Sequence, residues 1–183
     1  MPRSAFFLLT AGLLLAACRT TAPPAGDREL FYQTQSGRYY ESSRWHKALT
    51  PEIGPILDAN ASVYEWYTVE RARSGAARVH REYWSPSLDW HVRADYRYGR
   101  DGRLREVDWE YATHLGLVAA TGNVLPVKVT RTLRYDSAGQ VTDSKEEVLS
   151  ERDGKPVEVS YPPKEPRPWL TLAELPQPPV SRP

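Results

Sequence analysis

Residues 90–113 read WHVRADYRYGRDGRLREVDWEYAT, two alternating runs on either side of Asp101-Gly102. Asp-Gly between alternating runs is a strong local sign of a β-hairpin. Taking Asp101-Gly102 as a two-residue turn sets Arg100 opposite Arg103. One face then carries Trp90, Val92, Ala94, Tyr96 and Tyr98 against Val107, Trp109, Tyr111 and Thr113. The other carries His91, Arg93, Asp95 and Arg97 against Glu106, Asp108 and Glu110. Aromatics collect on one side and opposite charges meet on the other, as cross-strand pairing favours. A four-residue loop at 99–102 keeps this parity. A three-residue loop would set Tyr96 opposite Glu106 and Val92 opposite Glu110, so the alternation argues against it. The expected sheet has one buried face and one solvated face.

The same texture extends both ways. From Ser62 onward, segments rich in Val, Thr, Tyr and Trp alternate with turn signals: RSGA (73–76), SPSL (85–88), RDGR (100–103), DSAG (136–139) and RDGK (152–155). That spacing predicts a mainly β fold, an antiparallel meander forming a curled sheet or a small barrel. Upstream, residues 30–47 predict one strand around Gly37–Glu41. LTPEIGPILD then predicts a short N-terminal helix, with Thr50 as N-cap, Pro51 at the first helical position, and Gly54 and Pro55 limiting its length. The apolar stretch LGLVAATGNVLP (115–126) reads as a loop, with the N-terminal segment a cover for the sheet or the mouth of a barrel. Tyr98-x-x-x-Gly102-x-Leu104 and Tyr135-x-x-x-Gly139-x-Val141 share a pattern that resembles the hairpin turns of YD-type β repeats. Two copies do not make a repeat protein, and shared turn chemistry accounts for them.

The chain's only cysteine closes the opening stretch MPRSAFFLLTAGLLLAAC. Arg3 is followed by about a dozen mostly apolar residues, short of the roughly 20 that a membrane span needs. A basic start, a short apolar core and small residues at the end make a secretory signal peptide. Leu15-Ala16-Ala17-Cys18 resembles the lipobox of bacterial lipoproteins. The resemblance implies cleavage before Cys18, a thioether-linked diacylglycerol on its sulfur and a further palmitate-type acyl chain on its nitrogen. Two or more chains anchor stably where one does not. Arg19, where an aspartate would signal inner-membrane retention, implies the outer membrane. The expected organisation is a signal peptide at 1–17, a lipidated cysteine and tether at 18–29, an antiparallel β domain at 30–161 and a Pro-rich tail at 162–183. Within that tail TLAEL has the makings of one helical turn.

Charge is balanced: the whole chain carries +1, and loss of Arg3 brings it to about zero. That gives no electrostatic case for nucleic acid. With no second cysteine there is no internal disulfide, and stability must come from burial. Phe31 would be the only phenylalanine left after cleavage, so the core must lean on six Trp, eleven Tyr, Val and Leu.

Chemistry is sparse. His46, His80, His91 and His114 show no metal-ligand spacing. His91 and His114 approach across the hairpin near Asp89, but an exposed polar face explains them without a ligand. Asp108 and Glu110 point the same way, as a glycosidase pair would need, but Arg93 and Arg97 make a charge ladder the cheaper account. No serine elbow or phosphate loop is present. Acylation removes Cys18 as a nucleophile. No catalytic residue, metal ligand or cofactor is expected. The remaining signal is aromatic: Trp90, Tyr96, Tyr98, Trp109 and Tyr111 suit sugar stacking or an apolar cavity, or simply form the core. The expectation is a membrane-anchored, non-enzymatic binding or structural lipoprotein whose partner is an envelope protein or glycan. A lipid or lipoprotein carrier and a carboxylate-dependent hydrolase are the alternatives.

Overall fold

The alternation of 90–113 becomes a hairpin of β5 (Trp90–Tyr98) and β6 (Leu104–Leu117) in the computed structural model, which describes residues 27–36, 42–59, 62–85, 87–160 and 168–178. Trp90 pairs with Thr113, Val92 with Tyr111, Ala94 with Trp109 and Tyr96 with Val107, the expected register. The tip is different. Gly99 N–H donates to the Arg103 carbonyl (2.9 Å) and Gly102 N–H to the Gly99 carbonyl (3.0 Å), which closes a three-residue loop. Parity survives because β6 is bulged: Tyr98 pairs with Leu104 but Arg97 pairs with Glu106, so Arg105 has no partner in the ladder. The extra residue resets the alternation that a plain three-residue loop would have inverted.

Around this hairpin lie β1 (Arg28–Ser36), β2 (Ser42–Lys47), β3 (Val63–Arg71), β4 (Ala77–Trp84), β7 (Val124–Tyr135) and β8 (Val141–Ser150). They form one open, eight-stranded antiparallel sheet in the order β2-β1-β3-β4-β5-β6-β7-β8. Of the two expected forms, the open sheet is the one found. From β3 onward it is a meander. The first hairpin is folded outward, so that β1 pairs with both β2 and β3.

Three local expectations need correction. The single strand around 37–41 is replaced by β1 and β2 on either side of that stretch, which itself lies outside the described residues. Helix α1 is Gly54–Ala59, later than Thr50 and Pro51 would place it. The Ile53 carbonyl accepts the N–H groups of Ile56 and Leu57 (both 3.0 Å), so Pro55 rather than Pro51 occupies the first turn, where a missing N–H costs nothing. Half of 115–126 is strand, because Gly116 pairs with Leu125 and Leu117 with Val124, leaving residues 118–123 as the connection between them.

Inward-facing residues of β1 and β3–β7 form the core, including Phe31, Tyr67, Val79, Val92, Tyr96, Leu104, Val107 and Val129. Each such side chain removed from water contributes about 1.5–3 kcal/mol. The cover comes from the C-terminal segment rather than from 115–126. The Leu104 N–H donates to the Leu170 carbonyl (2.9 Å) and the Leu172 N–H to the Gly102 carbonyl (3.0 Å). Trp169, Leu170 and Leu172 pack on the core, and Leu175 is buried within it. TLAEL forms a 3-10 turn at Leu172–Glu174. Among the described residues no helix is long and apolar enough to cross a membrane. Cys18, the signal segment and the tether up to residue 26 lie outside them.

Candidate functional site

The sheet positions all five singled-out aromatics on its apolar face but does not leave them equally accessible. Tyr96, Tyr98 and Trp109 are buried. Tyr98 Oη donates to the Trp169 carbonyl at 2.9 Å. Burial, reinforced by Tyr96 and Glu174, holds its phenol well above the ordinary range. These three are core. Trp90 and Tyr111 are half-buried, their rings stacked with centroids 6.3 Å apart and planes at 26°. Tyr111 also stacks beside Trp109 at 6.0 Å. Tyr83 meets Trp90 edge-on at 5.8 Å and completes an accessible group of three. Sequence alternation hides it, because the REYW end of β4 sets a cation and a ring on the inward side (Arg81, Tyr83) and an acid and a ring on the outward side (Glu82, Trp84). The Val92↔Tyr83 pairing places it on this face.

Beside this group the apolar face holds an ion pair. Arg81 Nη2 lies 2.6 Å from Glu65 Oε1, with the two side chains only 11% and 15% exposed. The guanidinium lies between the Tyr83 ring (4.6 Å) and the Trp169 ring (4.3 Å) and reaches Tyr96 Oη at 3.4 Å. Rings on both sides and a carboxylate at the end satisfy a cation that the face would otherwise reject. Strand alternation carries a signal for it: Glu65 and Arg81 occupy inward positions in neighbouring strands. Arg131 repeats the device over the Trp109 ring (5.6 Å), paired with Glu146.

The other face is a charge ladder. Arg97 pairs with Glu106 and, at 2.7 Å, with Asp108, which also accepts a hydrogen bond from Thr132 Oγ1 at 2.8 Å. Glu110 lies between Arg93 (3.8 Å) and Lys128 (3.7 Å). A shallow cleft of about 320 Å³ lined by Arg93, Asp108, Glu110, Thr130, Lys145 and Glu147 crosses this ladder. His80 is its most constrained member. Nδ1 faces Asp95 Oδ1 at 3.2 Å and Nε2 faces Glu82 Oε1 at 3.0 Å. Hydrogen bonds to Asp95 and Glu82 outweigh burial and push the imidazole up to about 9. At Glu82 burial acts upward, but hydrogen bonds from His80, His91 and Arg93 hold it well below the carboxylate range. His91 is engaged by Glu82 at 3.3 Å, whereas His114 meets Asp89 through its backbone N–H (3.3 Å). Among the described residues no group of three or more His, Cys, Asp or Glu side chains is placed to hold a metal.

Compared with protein-family models, curated proteins and solved structures, the chain matches none.

Proposed function

We propose that the chain is a lipoprotein of the bacterial envelope, held by acyl chains on Cys18 and facing the periplasm from the outer membrane, whose sheet is a non-enzymatic binding module for an envelope glycan. The observation that carries the binding reading is the group Tyr83, Trp90 and Tyr111, half-buried on a face that is otherwise core. Rings held upright by their neighbours, next to the Arg81–Glu65 pair, offer stacking and hydrogen bonding together, the combination a sugar uses. Arginines at both Asp108 and Glu110 speak for a ladder rather than a hydrolytic pair. A lipid carrier would need the apolar face empty, and Tyr67, Tyr96, Trp169 and Leu175 fill it.

The experiment has two arms. Soluble peptidoglycan fragments are titrated against the chain and followed by tryptophan fluorescence. Trp90→Ala and Tyr111→Ala are each expected to weaken binding about tenfold, the scale of one lost stacking contact. No response to any fragment, with an envelope protein captured by crosslinking in cells instead, would replace the glycan by a protein partner. Separately, Cys18→Ala should abolish acyl-chain labelling and release the protein from membranes. A variant that stays bound through its N-terminus would overturn the anchor.

A further inference from the structure

The open sheet ends in two strands of opposite charge, and we propose that these edges join copies of the chain head to tail, β8 of one to β2 of the next. Among the described residues, neither the outer side of β2 nor that of β8 from Val141 to Glu147 has a backbone partner. The Ala48 N–H donates inward to the Leu30 carbonyl (2.9 Å), so the antiparallel alternation turns the backbone groups of Ser43, Trp45 and Lys47 outward. On β8 the Val148 carbonyl accepts the Val157 N–H on the outer side (3.0 Å), so Glu146 and Ser144 also present theirs outward. Two stretches of similar length therefore carry free ladder groups, a template for pairing with another chain.

Charge selects between the ways of using them. β2, SSRWHK, carries Arg44 and Lys47 and no acid, whereas β8, VTDSKEEVLS, carries Asp143, Glu146 and Glu147 against Lys145. A two-fold contact of β2 with β2, or β8 with β8, sets like charges together. A β8–β2 contact sets opposite charges together. Strand direction agrees. Every neighbouring pair in the sheet is antiparallel, so the two end strands run in opposite directions. A second copy in the same orientation therefore continues the ladder, with its apolar and polar faces aligned to those of the first.

Charge limits the register: setting Ser43 opposite Glu146 would place Arg44 against Lys145, whereas one step along, Trp45 falls opposite Glu146 and Lys47 opposite Ser144, with Ser43 left beside the occupied Val148 carbonyl. This puts Arg44 opposite Glu147 on the polar face. Both are exposed, and neither has an ion pair among the described residues. Contacts of this head-to-tail type close into a ring or run on as a filament. The contact is independent of any glycan bound elsewhere on the sheet.

The test is sedimentation of the full-length chain in detergent, with circular dichroism to confirm that each variant keeps its sheet. The wild type is expected to sediment as an assembly of several chains. Arg44→Glu and Glu147→Arg should each lose the assembly, and the double variant should regain it. A monomeric wild type, including one whose own β2 and β8 close together, would overturn the proposal. So would an assembly that both single variants leave intact, or a double variant that stays dissociated.

Discussion

His80 shows how a single side chain ties the polar face together. Each ring nitrogen has its own carboxylate, and only the doubly protonated imidazolium can donate to both. Its pKa, about 9, is above the ordinary value of 6.5. The contribution to stability is therefore complete below about 6.5 and is lost as pH climbs through 9. The size of the shift caps it at about 3 kcal/mol, shared with both partners. Glu82 and Asp95 are depressed, so their contribution is present above the ordinary carboxylate range and is lost as pH falls. The cluster should stabilise most between the two limits. Unfolding followed by circular dichroism should show stability falling between about pH 7 and 9.5, and His80→Gln should flatten that fall. A slope unchanged in the variant would assign the pH dependence to other groups.

At the scale of elements, one turn is used three times. In Ala72–Ala76, Gly99–Arg103 and Asp136–Gln140 the first residue's N–H donates to the fifth's carbonyl, at 2.9, 2.9 and 3.0 Å. The fourth residue is Gly75, Gly102 or Gly139, with φ of +87°, +71° and +81°. A side chain there strains the left-handed backbone by roughly 1–2 kcal/mol. Gly102→Ala has space, its nearest neighbour being Leu172 Cδ1 at 3.8 Å, so the backbone term alone should appear as a loss of about that size in denaturant unfolding. Gly116→Ala differs in kind. Gly116 lies outside the left-handed region, but an added methyl would collide with the Val127 side chain and meet the Leu125 carbonyl at 2.9 Å. The repeated Tyr-x-x-x-Gly pattern was legible in the sequence because its glycine is a backbone requirement. So was the register of β5 and β6, because aromatics and charges alternate over nine residues. The Arg105 bulge was not, since an unpaired residue in a strand leaves no mark on composition. Exposure of the five aromatics was not legible either. Alternation assigns a face, whereas burial depends on what crosses that face from far along the chain.

What crosses it is the C-terminal segment, and the whole molecule depends on that docking. Proline density around 162–183 reads as an extended tail; its described part, residues 168–178, lies against the core and includes the 3-10 turn at Leu172–Glu174. Proline pre-sets the backbone, so less entropy is lost when the segment is laid down. Its anchors are distributed. Trp169 lies between Arg81, Tyr67 and Tyr96, Leu175 is 3% exposed, and the Tyr67 and Tyr98 hydroxyls donate to the carbonyls of Pro176 and Trp169. The two Tyr-x-x-x-Gly turns hold it from beneath. Arg103 links them by donating to the Ser137 carbonyl at 2.9 Å, and a methyl on Gly139 would touch Leu170 at 3.4 Å. Truncation of a buried leucine costs about 2–5 kcal/mol, so Leu175→Ala should lower stability by an amount in that range. Tyr98→Phe removes one hydrogen bond and leaves the partly buried Trp169 carbonyl short of its donor, a loss of about 1–2 kcal/mol. If the segment docks as one unit, the double variant Leu175→Ala/Tyr98→Phe should lose less than the sum of the two, because the first change already loosens the contact that the second removes. Strict additivity in urea unfolding would mean that each anchor holds independently. The segment would then be a row of separate contacts rather than a single cover for the aromatic core.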